Sequence, residues 1–463
     1  MHIKRKLSKV EKVVICLAVI AIVVGSIGVS YILKERGEEA EALLPELPGE
    51  QLREGTLIRV GSGWSVKSNE RAAVEEALSS ARAQLKGKSP EFVILFSTVG
   101  YDSDKVLGEV RSLLGDVQVY GGTSCLSVQN NDGLHVGERG SLALLAVSSE
   151  NITFGVGGVS IGDYSSARDA GKAAILTAID AAEKVEGETP KIVLMTAAPG
   201  EEEEVLAGIE EVIGNDVPVF GGSSGDNDIT GKWKQFANDR VYSNGISLTA
   251  IYTDLKVGWA LEAGYERSEY RGTITKAAGR TIYEIDNQPA AEVYNTWTGG
   301  SVVAEELETG GSVLSKTTFY PLAKILKNGG REYSISIHPL SINATDHSLE
   351  VFANVDEGDE VLLMHGDWEL LLNRALSTPT KALKSESLSE VDISFAIYDF
   401  CAGTMLAIPE DERPKMYALV KTAIGDAPFI GTFTFGEQGH IRGVGNYHNN
   451  LVNWMVVFTE EKE

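Results

Sequence analysis

Val117-Gln118-Val119-Tyr120-Gly121-Gly122-Thr123-Ser124 alternates apolar and polar side chains, then stops on two glycines and two hydroxyls. One hundred residues later the same plan returns as Val217-Pro218-Val219-Phe220-Gly221-Gly222-Ser223-Ser224. β-Branched and aromatic residues in alternation suit a pleated strand, and a glycine pair lets the chain turn sharply where it ends. The spacing of the two copies decides the fold, because the segments around them repeat as well.

In front of the first copy, Glu91 to Ser97 (EFVILFS) is a continuous apolar strand, buried on both faces. Before it, Leu57 to Trp64 is a strand, and Ser68 caps a helix to about Leu85. Asp102 or Ser103 caps a second helix to Leu114; a Gly-rich hairpin and the strand Ser141 to Val147 close the unit. The second unit has strand Thr153–Val159, helix Ser165–Val185, strand Lys191–Ala197, helix Glu201–Ile213, strand Val217–Phe220 and strand Gly245–Tyr252. Its run Glu201 to Glu204 reads as helix-start electrostatics, not as a metal site.

A third, looser unit runs from strand Asp359–Met364 through helix Asp367–Leu383, strand Ile393–Phe400 and helix Asp411–Ile424. It ends with strands Pro428–Phe433 and Leu451–Phe458. Residues 270–357 do not fit the unit: Arg271–Ala277 and Thr281–Ile285 read as a hairpin, Pro289 starts a short helix, and Ser334–His338 and Leu349–Ala353 read as strands. The fold class is therefore α/β with mixed sheets, built from repeated strand–helix–strand–helix–strand–strand units in two tandem domains, 56–260 and 261–460. The boundary falls near Val257 to Glu269.

The composition, 43% hydrophobic and 23% charged over 463 residues, is that of a folded chain. The net charge is −25. Residues 1–12 carry Lys4, Arg5, Lys6, Lys9 and Lys12 against Glu11, which leaves 36 basic and 65 acidic residues, a balance of −29, in the rest. Such a surface repels phosphate backbones and argues against nucleic acid as a partner. Val13 to Leu33 is uncharged and long enough to span a bilayer. With the basic residues before it, it reads as an uncleaved single-pass anchor with a cytoplasmic tail at 1–12, a stalk at 34–55 and the main body outside the cytoplasm. Cys125 and Cys401 are free to pair or stay apart, and no metal-ligand or cofactor spacing is present.

Taken in order, these pieces resemble the FIST family of sensory proteins, which carry an N-terminal and a C-terminal FIST domain in tandem. The turns Gly121 to Cys125 and Phe220 to Asp226 resemble the N-terminal type. Ile274-Thr275-Lys276-Ala277 with Ile282 to Asp286, Phe400-Cys401-Ala402-Gly403, Gly431 to Glu437 and His448-Asn449 resemble the C-terminal type. The resemblance covers about residues 56–460 and implies a sensor of small molecules such as amino acids. Two departures stand out. Thr404 and Met405 follow Gly403 where the family often has an Arg, and family members are generally intracellular, whereas this chain carries an apparent anchor.

A small zwitterion or carboxylate needs backbone N–H donors, hydroxyls and an opposing charge in a concave site. Gly122, Thr123 and Ser124, Gly222, Ser223 and Ser224, and the Gly431-Thr432 turn supply these in equivalent places, which predicts a shared cleft. Asp226 or Glu437 would take an ammonium, with Cys401, Gly436, His448 and Asn449 completing the ligand-binding set. The rival chemistry is a cysteine-dependent hydrolase or transferase, with Cys401 as thiolate, His448 as its base and Glu437 orienting the ring. In the sensor reading an unidentified partner protein carries the signal, because the cytoplasmic tail is too short for an output domain.

Overall fold

Three copies of the glycine-ended unit are present, and each is stitched to the next. The computed structural model describes residues 58–460. The basic tail, the apolar run Val13–Leu33 and the stalk lie outside the described residues. Among the described residues no helix is long and apolar enough to cross a membrane.

The first unit comprises β1 (Ile58–Ser65), helix Glu70–Gln84, β2 (Phe92–Ser97), helix Ser103–Leu114, β3 (Gln118–Thr123), the hairpin β4 (Val128–Asn130) and β5 (Gly133–His135), and β6 (Leu142–Ser149). The second comprises β7 (Thr153–Ser160), helix Ala167–Ala181, β8 (Ile192–Ala197), helix Glu202–Ile213, β9 (Val219–Ser223), the hairpin β10 (Gln235–Ala237) and β11 (Arg240–Tyr242), and β12 (Gly245–Tyr252). In both, the order across the sheet is first, last, second, third strand. Only the second and third strands run parallel, β2 with β3 and β8 with β9, because the helix between them is a crossover. Helix starts follow local chemistry: Asn69, one residue past the expected Ser68, accepts from Ala72 N, and Asp102 accepts from Lys105 N.

The third unit is interrupted. Its first strand is β13 (Val257–Glu262), inside the stretch read as a domain boundary. An inserted nine-stranded sheet follows, from β14 (Glu266–Ala278) to β22 (Glu360–His365). The unit then resumes with helix Trp368–Ser385, β23 (Ile393–Cys401), helix Lys415–Ile424, β24 (Phe429–Thr434), the hairpin β25 (Glu437–Ile441) and β26 (Gly445–Asn449), and β27 (Asn453–Thr459). β13 pairs with β27 just as β1 pairs with β6. The strand expected to open this unit, near Asp359–Met364, instead pairs with β14 and with Leu322–Asn328 inside the insert. A strand and the helix after it read alike whether or not they share a sheet, so the sequence pattern assigned it to the wrong layer.

The hairpins pass around a ring. β10 of unit two pairs with β3 of unit one (Gln235 opposite Gly122). β25 of unit three pairs with β9 of unit two (Glu437 opposite Gly222). β4 of unit one pairs with β24 of unit three (Gln129 opposite Gly431). Each sheet sends alternate side chains to one shared centre: Phe92, Ile94 and Phe96, Ile192 and Leu194, Phe395 and Ile397, with Phe220 and Trp454. The intervening residues, such as Val93 and Leu95 or Val193 and Met195, face their own unit's helices. That double burial explains the unbroken apolar runs.

Helices lie directly on sheet glycines. A Cβ on Gly157 would sit 2.2 Å from Ala174 O, which is backbone and cannot yield. Gly108, by contrast, is an exposed helix-interior position with nothing within 4 Å of a Cβ. Gly157→Ala is expected to cost at least about 2 kcal/mol in urea denaturation, whereas Gly108→Ala should gain about 0.5–1 kcal/mol. Equal effects at the two positions would contradict this packing.

Candidate functional site

The glycine-ended turns of all three units meet, as expected, but they meet as a packed joint. Gly225 N donates to Thr123 O at 2.9 Å, Cys125 N to Phe433 O at 3.0 Å, and Ser223 N to Gly436 O at 2.7 Å. Phe433 N donates to Ser124 Oγ at 2.9 Å. A Cβ on Gly222 would lie 2.4 Å from both Asp399 Oδ2 and Thr434 Oγ1, so glycine is required there by contact. Gly122, Thr123, Ser124, Gly222, Ser223, Ser224 and Asp226 are all buried. Asp226 turns inward on its own loop, accepting from Ile229 N (2.6 Å), Thr230 N (3.0 Å) and Lys232 N (2.8 Å). Its oxygens organise backbone; they do not present a charge to a ligand.

Beside this joint lies a buried acid pair. The Thr434 hydroxyl is 2.9 Å from both oxygens of Asp399 and 3.2 Å from Glu437 Oε1. One hydroxyl carries one hydrogen, so serving both carboxyls requires a proton on one of them. Two carboxylates bridged by one hydroxyl repel each other, and burial penalises each charge, so both effects favour keeping that proton. Burial, and for Glu437 also the neighbouring Asp399, accordingly pushes both carboxyls well above their ordinary range. Glu437 Oε2 is held by Val452 N at 3.1 Å.

Cys401 is 3% exposed and free, and burial next to Glu437 pushes its thiol well up. Cys125 is also free, its thiol raised to about 12 by burial and by Asp226. The His448 ring is engaged by Gln438 Nε2 (3.0 Å), the Phe352 carbonyl (3.2 Å) and Asn450 Nδ2 (3.3 Å). Thiolate formation at Cys401 with His448 as its base finds no support in this geometry. Gly436 packs under the His448 ring, 2.6 Å from where its Cβ would be. Asn449 accepts from Ser336 N of the insert at 3.3 Å. His448 and Asn449 thus join the third unit to the inserted sheet.

A second junction was missed from sequence. Arg280 Nη2 lies 2.7 Å from Glu202 Oε2 and 2.7 Å from Glu203 Oε2, and Ser223 Oγ donates to Glu202 Oε1 at 2.6 Å. Burial alone would raise the Glu202 carboxyl, but His448, Arg280 and Ser223 outweigh it and hold it at about 2. The Glu run at the helix start therefore does more than complement the helix dipole: two of its members bind an arginine from the insert. Four acids in a row were the available signal.

The open concavity lies alongside. A cleft of about 360 Å³ runs between the third unit and the insert, with Tyr333 and Ser334 on the insert side and Trp259, Lys381, His440 and Arg442 opposite; Asn449 and Val452 also line it. The Arg442 guanidinium sits 4.4 Å over the Trp259 ring and 3.1 Å from Glu386. Lys381 pairs with Glu262, which also accepts from Ser377 Oγ (2.6 Å) and Thr378 Oγ1 (2.8 Å). Burial raises the Glu262 carboxyl, but these donors hold it below its ordinary range. Lys381 and Arg442 remain more than half exposed. The cleft thus offers two cations, each paired to a carboxylate outside its lining, and an aromatic wall. Of the residues expected to bind a ligand, only Asn449 lines it.

Two domain models of one family match the chain in tandem: the FIST N domain over residues 91–288 and the FIST C domain over 290–440. An uncharacterised protein of Methanocaldococcus jannaschii is 28% identical over 95 residues, 20% of this chain, and the match spans only 18% of that protein's length. Among solved structures, cyanuric acid hydrolase from A. caulinodans aligns with 87% of this chain and 100% of its own, at 7% identity and a TM-score of 0.36. T. maritima PurL complexed with ATP aligns with 87% of this chain and 72% of its own, at 9% identity and a TM-score of 0.21. Likeness at these scores carries no argument about activity.

Two outcomes follow from the buried groups. A carboxyl whose folded pKa is raised stabilises fully below its unfolded value and loses that contribution as pH rises, so Asp399 and Glu437 weaken the fold toward alkaline pH. Glu202 has the opposite sign: its contribution is present above about 4.5 and lost as pH falls toward about 2. Asp399→Asn should therefore flatten the alkaline limb of melting temperature against pH and leave the acid limb in place; an unchanged alkaline slope would show that the pair does not share a proton. Cys125 and Cys401 should resist alkylation at neutral pH until the protein is unfolded, as read by intact mass after iodoacetamide.

Proposed function

From the premise that the chain belongs to the FIST family of sensory ligand-binding domains, we propose that it senses a small zwitterion or carboxylate, such as an amino acid, held in the cleft beside Trp259. The observation that carries this is two exposed cations on the wall of one concavity, Arg442 and Lys381, each paired to an acid outside the lining, Glu386 and Glu262. A ligand carboxylate gains a charge-assisted bond from either cation without breaking its existing pair. Trp259 and Tyr333 supply the apolar surface that a small side chain would cover. The volume suits a molecule of amino-acid size.

The body is carried outside the cytoplasm on the Val13–Leu33 anchor, and the signal leaves through a partner protein. The basic residues before an uncharged run support this orientation.

The test is a melting panel on residues 58–460 with amino acids and small carboxylates. A ligand at a hundred times its Kd should stabilise the fold by about 2.7 kcal/mol. Arg442→Ala and Lys381→Ala should abolish that shift while moving the ligand-free stability by no more than about 1 kcal/mol, as expected for exposed ion pairs. A panel with no shift would overturn the ligand reading. Protease added to intact cells should cleave the folded body; complete protection would overturn the orientation.

A further inference from the structure

We propose that the inserted sheet is a lid on this cleft, swinging about Gly264 and Gly366 and held shut by Arg280 clasped between Glu202 and Glu203. The proposal rests on the cleft being the ligand site, and it concerns how that site is regulated.

The chain crosses between the third unit and the insert only twice, and the crossings are adjacent. It leaves through Ala263-Gly264-Tyr265 and returns through His365-Gly366-Asp367, with Glu266 paired to His365. Gly264 has φ +73°, and a Cβ there would meet Arg374 Cδ at 2.3 Å. A Cβ on Gly366 would meet the Tyr265 ring at 2.8 Å. Two neighbouring crossings, each with a glycine in close contact, make a hinge with a single axis. Apolar contact is concentrated there, where Tyr265 and Phe319 pack on the third unit's core and Tyr265 Oη donates to Thr318 O at 2.8 Å.

Away from the hinge, polar contacts join the insert to the body. The insert has its own core, including Ile274, Tyr294, Leu322, Ile337 and Val361. Across the junction, Asn450 N donates to Ser336 O (2.9 Å), His338 N to Asn450 Oδ1 (3.0 Å), Asn328 Nδ2 to Gly443 O (2.7 Å) and Asn354 N to Glu203 Oε1 (2.7 Å). Separate cores joined by hydrogen bonds favour relative motion. The latch is reversible by the same reasoning. Arg280 is 20% exposed and Glu202 3%, so opening rehydrates charges whose burial was costly, and that gain offsets much of the lost attraction. Tyr333 and Ser334 travel with the insert, whereas Trp259, Lys381 and Arg442 stay with the body. A ligand that touches both walls favours the closed state.

Hydrogen exchange on the full chain tests this without any ligand, so its outcome is separate from that of the melting panel. In Arg280→Gln the amides of Ser336, His338, Asn354 and Asn450 should exchange at least tenfold faster, with β2, β8 and Leu322–Asn328 unchanged. Glu203→Gln, at the more exposed end of the latch, should give the same local pattern with a smaller rise and serves if Arg280→Gln does not fold. Acceleration spread evenly through β2 and β8, or none at the junction, would overturn the proposal.

Discussion

The constraint on which this structure depends is the closed exchange of hairpins. Each unit alone would leave the outer edge of its third strand unpaired at the glycine-ended turn, an open template for misassociation. Each edge is instead covered by a hairpin that belongs to another unit: β10 on β3, β25 on β9, β4 on β24. Removing one hairpin therefore exposes an edge in a different unit. The shared apolar centre reinforces this, since Phe96, Leu194, Phe220 and Trp454 come from all three units. No unit holds a complete core of its own, and the body is expected to be cooperative.

Close backbone approach makes the exchange possible. Gly122, Gly222 and Gly431 are glycines because neighbouring units press against those positions, whereas Gly121 and Gly221 lie against Leu95 and Met195 of their own units. Thr196 Cγ2 comes within 2.8 Å of a Cβ on Gly122, and Gln129 Cγ within 2.4 Å of one on Gly431. These glycines were legible in the sequence as turn formers, and the repeat they mark was legible with them. Their contact with a different unit was not, because Gln129 and Gly431 lie about three hundred residues apart. Helix caps such as Asp102 and Asp367 and the apolar strands β2 and β8 were equally readable, each being decided by local chemistry. The insertion was not. Its last strand, β22, and the helix after it follow the local pattern of one unit while belonging to two layers.

The site shows the same division. Polar residues beside glycines drew attention to Glu437, His448 and Asn449, and these do lie where chain segments converge. Convergence buried them, however, and burial demands partners: Glu437 shares Thr434 with Asp399, and His448 bonds to Gln438 and Phe352. The cleft draws Trp259, Tyr333, Lys381 and Arg442 from four distant segments, and three of these sit in otherwise unremarkable stretches. Arg442 alone lies between Glu437 and His448, the residues that drew attention, and its own spacing gave no sign of a role.

The three units have not diverged equally. Pairing places Phe96 opposite Gly122, Thr196 opposite Gly222 and Asp399 opposite Thr432, so one position is apolar, neutral polar and acidic in turn. The third unit alone carries the acid, the insert and one wall of the cleft. These are physically continuous. Val452 lines the cleft, and its N–H is the donor that holds Glu437 Oε2; Leu451, the residue before it, accepts from the buried Arg374, which also binds Ala263 O beside the hinge. A displacement of the Leu451-Val452 turn therefore reaches the acid pair through one hydrogen bond and the hinge through two, by way of Arg374. The symmetric units fix the frame, and the unit that departed from symmetry holds the parts that respond.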